Sequence, residues 1–341
     1  MKFLFLIAIL SLALAPAAAR QTSTSARATA SAQSFALERR ADADPAVAVS
    51  LCISSGDVVV RGWDRREVRA RAAERGALAL DTAGQAPARR VEVLVNEAGE
   101  GELLPGHCGL TSGLELSVPR GASVNLRVHD GNVEVSDVAE LTVNNLSGDV
   151  AARGVSRSVE AVTMSGDISL ADSKGRARLR AVSGSVEATN VAPLAAGDSF
   201  EASSTSGDVS LSGVRHARVS GSTISGSVRA SGPLARGGSY DFKTISGDVT
   251  LALPADASFR LNAKVVLSGE IITDFPIRAT PVSPNGEGPP TPPAPPTGGP
   301  KPPRRVHSEE PQATRLVGTV GTGDAAVTLT SFSGTLHLKR Q

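Results

Sequence analysis

A tetrapeptide of the form Ser-Gly-(Asp/Ser)-(Val/Ile), with looser copies at its edges, recurs down the chain and leaves few folds open. Aligned on the glycine, the copies sit at Gly56, Gly131, Gly148, Gly166, Gly184, Gly207, Gly226, Gly247, Gly269 and Gly334. From Gly131 to Gly269 the spacings are 17, 18, 18, 23, 19, 21 and 22 residues. Self-similarity on this scale marks repeat architectures, in which a unit too short to bury its own apolar edge stacks on its neighbours.

The columns around the glycine predict what the stack looks like. Two residues after it stand Val58, Val133, Val150, Ile168, Val186, Val209, Val228, Val249, Ile271 and Leu336; four after it stand Val60, Val135, Ala152, Leu170, Ala188, Leu211, Ala230, Leu251, Thr273 and Leu338. Seven before it are Val49, Val124, Leu141, Val159, Ala177, Phe200, Val219, Tyr240 and Val327, and five before it Leu51, Leu126, Val143, Ala161, Leu179, Ala202, Phe242 and Leu329. Two before it are Leu146, Met164, Val182, Ile224, Ile245, Leu267 and Phe332. All five columns are assigned to the interior, with polar or small residues such as Glu134, Ser169 and Ser210 facing out. Alternation of this kind is the mark of a strand with one buried face. Each repeat therefore reads strand, tight turn, strand, with glycine at the corner and Ser, Asp or Ser beside it as turn residues.

The expected fold is all-β: a parallel β-helix or solenoid of roughly 18–22-residue coils with Gly turns. An antiparallel β-sandwich is the alternative, since it too gives short alternating strands. Return of the same side-chain class at the same offset in ten places favours the solenoid. Its open ends, if uncovered, would allow edge-to-edge self-association.

The remaining segments differ in composition. Residues 1–19 read as a removable signal peptide: Lys2, an apolar run from Phe3 to Ala15, then Ala17, Ala18 and Ala19. No later stretch approaches the about 20 apolar residues of a membrane helix, so an exported protein without a transmembrane segment is expected: periplasmic, cell-surface or secreted. Residues 20–44 read as a flexible lead-in, 45–123 as the first coil followed by irregular N-terminal coils or a cap, and 124–278 as the regular solenoid. Residues 279–312, with prolines from Pro281 to Pro311, read as a disordered insertion. Residues 313–341 read as the terminal coil rejoining the solenoid.

Chemistry is sparse. The net charge of +1 argues against a nucleic-acid partner. Cys52 and Cys108 are candidates for a disulfide in an oxidising compartment; two small buried residues is the other reading, and both stay open. His107 beside Cys108 does not make a zinc site, none of the five histidines lies in a ligand motif, and no nucleophile elbow is present. No cofactor is expected. Asp57, Asp149, Asp167, Asp208 and Asp248 follow the corner glycine. Stacking could bring Asp149 and Asp167 together around Ca²⁺, but a residue repeated in most coils reads as a turn residue. Trp63 and Tyr240 read as structural, Trp63 over one end of the core and Tyr240 within it. Arg176, Arg178 and Arg180 read as a solvated outer patch.

Three stretches together resemble the DUF4097 adhesin-like family: Ser55-Gly56-Asp57-Val58-Val59-Val60-Arg61-Gly62-Trp63-Asp64, Leu116-Ser117-Val118-Pro119, and the serial Ser-Gly-Asp-Val corners. The segment from Gly321 to Gly334 resembles that family's C-terminal coil. The likeness spans roughly residues 45–278 and 313–341, and the Pro-rich insertion departs from it. It implies a secreted or envelope β-helical protein and brings no catalytic residues. The function expected is a non-catalytic exported adhesin-like binding or surface module, with an envelope protein or polysaccharide as partner. A carbohydrate-active enzyme on the same scaffold and a structural envelope scaffold are the alternatives.

Overall fold

The computed structural model describes residues 35–279 and 314–341, apart from 74, 75, 85, 97–102 and 104. The segment expected to be a signal peptide and nearly all of the segment expected to be a Pro-rich insertion lie outside the described residues. Among the described residues all 25 strands join one sheet that is parallel along the stack and antiparallel only at its ends. The fold is a β-solenoid.

Each regular coil is a long strand, the glycine corner and a short strand. In the Gly166 coil these strands are Ser158–Ser165 and Ile168–Ala171. Val159 lies between Leu141 and Ala177, and Ile168 between Val150 and Val186, in register. The columns two and four after the glycine, and seven and five before it, converge into one buried core; Val209, Val186, Leu179 and Leu126 are fully enclosed. In the column five before the glycine, Gly221 leaves room for Phe242 of the next coil, whose ring would lie 3.0 Å from a Cβ there.

The corner tolerates no side chain. Gly166 has φ +130°, and a Cβ on it would stand 2.2 Å from the carbonyl oxygen of Gly148, one coil away. The turn also leaves glycine carbonyls to be satisfied. The residue three before the next glycine points inward and supplies the hydrogen bond: Ser204 Oγ donates to Gly184 O at 2.7 Å, Thr223 Oγ1 to Gly207 O at 2.8 Å and Thr244 Oγ1 to Gly226 O at 3.0 Å. These buried hydroxyls satisfy the carbonyls of Gly184, Gly207 and Gly226. A second bend follows six residues after the glycine, where Asp137, Asp172 and Asn190 take φ of +58°, +49° and +55°. Asp and Asn are the non-glycine residues that visit this region most readily. Val138, Val155, Val191 and Val214 then turn inward and close the third side of the core.

The column two before the glycine corrects the sequence reading. Leu146, Met164, Val182, Ile224, Ile245, Phe332 and Leu267 are not core residues; each is 38–51% exposed. The reason is parity. Positions seven, five and three before the glycine share the inner face, so position two must face out.

Order in space is not order in sequence. The Gly56 coil is the first in the chain, yet it lies inside the stack. Its strand Phe35–Trp63 pairs in parallel with Ser123–Asp130 and Val133–Ser136 on one side, and with Ala88–Asn96 and Gly109–Pro119 on the other. The C-terminal coil likewise is not terminal in space. Ala325–Ser333 lies between Ser239–Ser246 and Phe259–Ser268, and Leu336–Arg340 lies between Val249–Leu253 and Ile271–Thr273. Residues 325–340 are thus inserted between the Gly247 and Gly269 coils, a correction to their placement as the terminal coil.

Antiparallel strands cover the ends. Glu67–Ala73 pairs with Gly109–Pro119, and Ala77–Asp81 with Ala88–Asn96. At the other end Thr314–Val320 covers Phe259–Ser268. The lead-in is shorter than expected, because Phe35–Asp42 is strand and pairs with Glu67–Ala73. The Glu38 carboxylate meets Arg71 at 2.7 Å, and this contact, then Arg40, pulls its pKa below the usual carboxylate value. Ala279, counted in the insertion by its composition, is also strand.

Candidate interaction surfaces

The outer surface carries three features: an aspartate ladder along the corner, two polar depressions on the sheet faces and the exposed apolar ridge.

The ladder absorbs the acidic column. In most coils the corner backbone N–H donates to the side chain one coil back: Asn132 to Asp57 at 2.8 Å, Asp149 to Asn132 at 3.0 Å, Asp167 to Asp149 at 2.9 Å, and Ser185 to Asp167 at 2.7 Å. Ser227 donates to Asp208 at 2.8 Å and Thr335 to Asp248 at 2.7 Å. Ser227 N–H, then Arg229, lowers the Asp208 pKa. Asn132, Ser185 and Ser227 interrupt the row of charges, so Asp149 and Asp167 are the adjacent acidic pair. Among the described residues no three His, Cys, Asp or Glu side chains are grouped to hold a metal ion.

One depression, of about 890 Å³, opens on the short-strand face and is lined by Asp57, Asn132, Glu134, Asp137, Asp149 and Arg153 among others. A second, of about 490 Å³, opens on the long-strand face among Ser50, Arg90, Asn125, Arg127, Glu140 and Thr142. Both cross several coils and present donors and acceptors in rows.

Other residues singled out by the sequence have structural partners. Cys52 and Cys108 are joined as a disulfide, so Cys108 is no metal ligand beside His107. Trp63 Nε1 donates to Glu67 O at 2.9 Å, and the Arg65 and Arg69 guanidinium groups lie 5.0 and 4.7 Å from the ring centre. Arg178 and Arg180 both reach Glu201, at 3.0 and 3.2 Å, which offsets one of the three positive charges of the basic patch. The Tyr240 hydroxyl is buried, accepts from Ala235 N–H and donates to His216 O, and burial raises its pKa. His216 itself is fully buried beside Phe200, a position the repeat does not signal.

The apolar ridge was hidden by the same column that revealed it. The pairs Thr163–Asn145 and Ser165–Ser147 set Met164 beside Leu146, and the same register carries the row as far as Phe332; a bulge between Val265 and Ser268 then sets Val266 and Leu267 against Phe332. Thr205 is the one polar member between Leu146 and Leu267.

A family model described as Toastrack DUF4097 matches residues 49–279, about two thirds of the chain. The chain belongs to the Toastrack family. The inserted C-terminal coil lies beyond the matched Toastrack span. No curated protein sequence matches the chain. Solved structures resemble it distantly. A provisionally named cell adhesion protein from Clostridium sporogenes aligns at 9% identity and a TM-score of 0.20, covering 89% of this chain and 99% of its own. Provisionally named adhesins from Parabacteroides distasonis and Parabacteroides merdae align at 10% and 12% identity with TM-scores of 0.39 and 0.31. Each covers 64% of this chain, with 90% and 89% of its own length. At these scores they add nothing to the Toastrack assignment. Among the described residues no helix is long and apolar enough to cross a membrane.

Proposed function

We propose that this Toastrack protein is a non-catalytic, exported, adhesin-like module that binds an envelope polysaccharide or protein across its sheet faces. The carrying observation is the long-strand depression, where Arg90, Arg127, Asn125, Glu140 and Thr142 from successive coils line one open surface of about 490 Å³. Such a surface offers repeated donors and acceptors at the coil spacing of about 4.8 Å, which suits an extended, repetitive ligand. Export is supported by the leader-like first residues and by the disulfide, which persists in oxidising compartments.

The enzyme alternative draws no support from the acidic column, whose carboxylates are committed to the ladder. The test is retention of the purified chain on cell-envelope fractions, compared with an Arg90→Glu, Arg127→Glu double variant. The proposal predicts that the wild type is retained and the variant washes through at the same salt. Equal retention of the two, or none of either, contradicts it.

A further inference from the structure

The ridge adjoins the short-strand depression, with Asp149 common to its acidic flank and to that depression, and its occupant follows from the ridge side chains and not from the ligand. Seven large apolar side chains and Thr205 form a line across eight coils. Seven steps of about 4.8 Å make it about 34 Å long. At 38–51% exposure these side chains leave roughly 600 Å² of apolar surface in water, the upper end of what a typical monomer shows in one patch. With its polar flanks the strip approaches the roughly 800 Å² that each partner contributes to a standard interface.

We propose that the ridge is the contact between two copies of this chain, packed ridge to ridge about a two-fold axis that runs along the stack. A straight, evenly spaced row is complementary to itself, as an isologous contact requires. An end-to-end contact has less free edge to use: antiparallel strands cover Gly109–Pro119 at one end and Phe259–Ser268 at the other, while Ile271–Thr273 pairs only with Leu336–Arg340 among the described residues.

Charge and register choose the parallel arrangement. On one flank stand Arg180 and Lys243, four residues before their glycines; on the other stand Asp149, Asp167, Asp208 and Asp248, one after, with Asp208 already paired to Arg229 of its own chain. Arg180 and Lys243 already meet Glu201 and Asp241 of their own chain, yet both remain about half exposed. An axis along the stack sets the basic flank of one copy against the acidic flank of the other. It also sets Thr205 against Thr205 and leaves every apolar residue opposite its own counterpart. An axis across the stack would set like flanks together, acid on acid.

The test is the solution mass of the mature full-length chain by light scattering and sedimentation equilibrium. The wild type is expected to be a dimer at tens of micromolar. An Ile224→Glu, Ile245→Glu variant is expected to be a monomer that still unfolds cooperatively, because both positions face water in the isolated chain. Single Leu146→Cys and Leu267→Cys chains are each expected to cross-link to themselves under mild oxidation. A monomeric wild type, or a dimer that survives the ridge substitutions, overturns the interface. Cross-linking only between Leu146→Cys and Leu267→Cys chains in a mixture overturns the parallel axis.

Discussion

The backbone N–H of Asp167 donates to the Asp149 carboxylate at 2.9 Å, one coil along the stack. The same contact, with changes of side chain, recurs at Asp57, Asn132, Asp167, Asp208 and Asp248. It explains why the column prefers short acceptors without requiring a charge. Asp149→Asn should therefore leave stability nearly unchanged, since Asn132 performs the same task one coil away. Asp149→Ala should lose about 1 kcal/mol, the usual net worth of a hydrogen bond. Chemical denaturation of the two variants measures the difference; equal losses would mean that the charge, not the acceptor, matters.

Val209 and Ser210 are neighbours on opposite faces of one short strand, and Val209 is fully buried. Val209→Asp places an unpaired charge in the dry core and should cost at least about 3 kcal/mol or prevent folding. Ser210→Asp should stay within about 0.5 kcal/mol of the wild type. Melting temperatures of the pair test the assignment of faces.

His216 gives the stack a pH dependence. Its Nε2–H donates to Gly175 O at 2.7 Å, and buried Nδ1 has no hydrogen-bond partner. Burial, opposed by the Gly175 bond and by Asp198, holds its pKa below 6.5. The unfolded chain thus takes up a proton at a pH where the folded chain resists it. The stabilisation is present above the unfolded value and is lost as pH falls below about 6.5. Melting temperature should decline between pH 7.5 and 5.5, and the decline should be smaller in His216→Gln, even if that variant is weaker at pH 7.5.

The disulfide links residues 56 apart in sequence and ties the Gly56 coil to the strand entry at Gly109. Opening a loop of this length should cost about 4 kcal/mol by the chain-entropy account. A Cys52→Ser, Cys108→Ser variant, or the wild type in reductant, should melt well below the oxidised protein. No change in calorimetry would mean that the covering strands alone hold that end.

Much of this fold was legible because the repeat states the inner face several times over. Val58, Val133, Val150 and their successors can serve only one purpose in a stacked coil. The ridge was misread because Leu146 and Met164 are as apolar as the core, and only strict alternation from Leu141 and Val143 places them outside. The inward hydroxyls Thr163, Ser204 and Thr223 were passed over because polarity argues against burial until the glycine carbonyls they satisfy are seen. The bend at Asp137, Asp172 and Asn190 did carry a signal, since these residue types tolerate positive φ, but it was weaker than the corner glycine. The order of coils was beyond the sequence for a different reason. The Gly334 coil carries the same motif as the Gly247 and Gly269 coils, so each could pair with either of the others. The strand at Phe35–Asp42 escaped notice because its partner is a covering strand outside the repeat.

One continuous stack places residues 325–340 between the Gly247 and Gly269 coils. His337 is in register with Thr250 on one side and Ile272 on the other. Disulfide mapping by mass spectrometry of paired cysteine variants, made at outward positions, tests this most directly. Thr250→Cys with His337→Cys, and Ile272→Cys with His337→Cys, should each cross-link readily, while Thr250→Cys with Ile272→Cys, two coils apart, should not. Efficient cross-linking of Thr250→Cys to Ile272→Cys, with His337→Cys joining neither, would contradict the account.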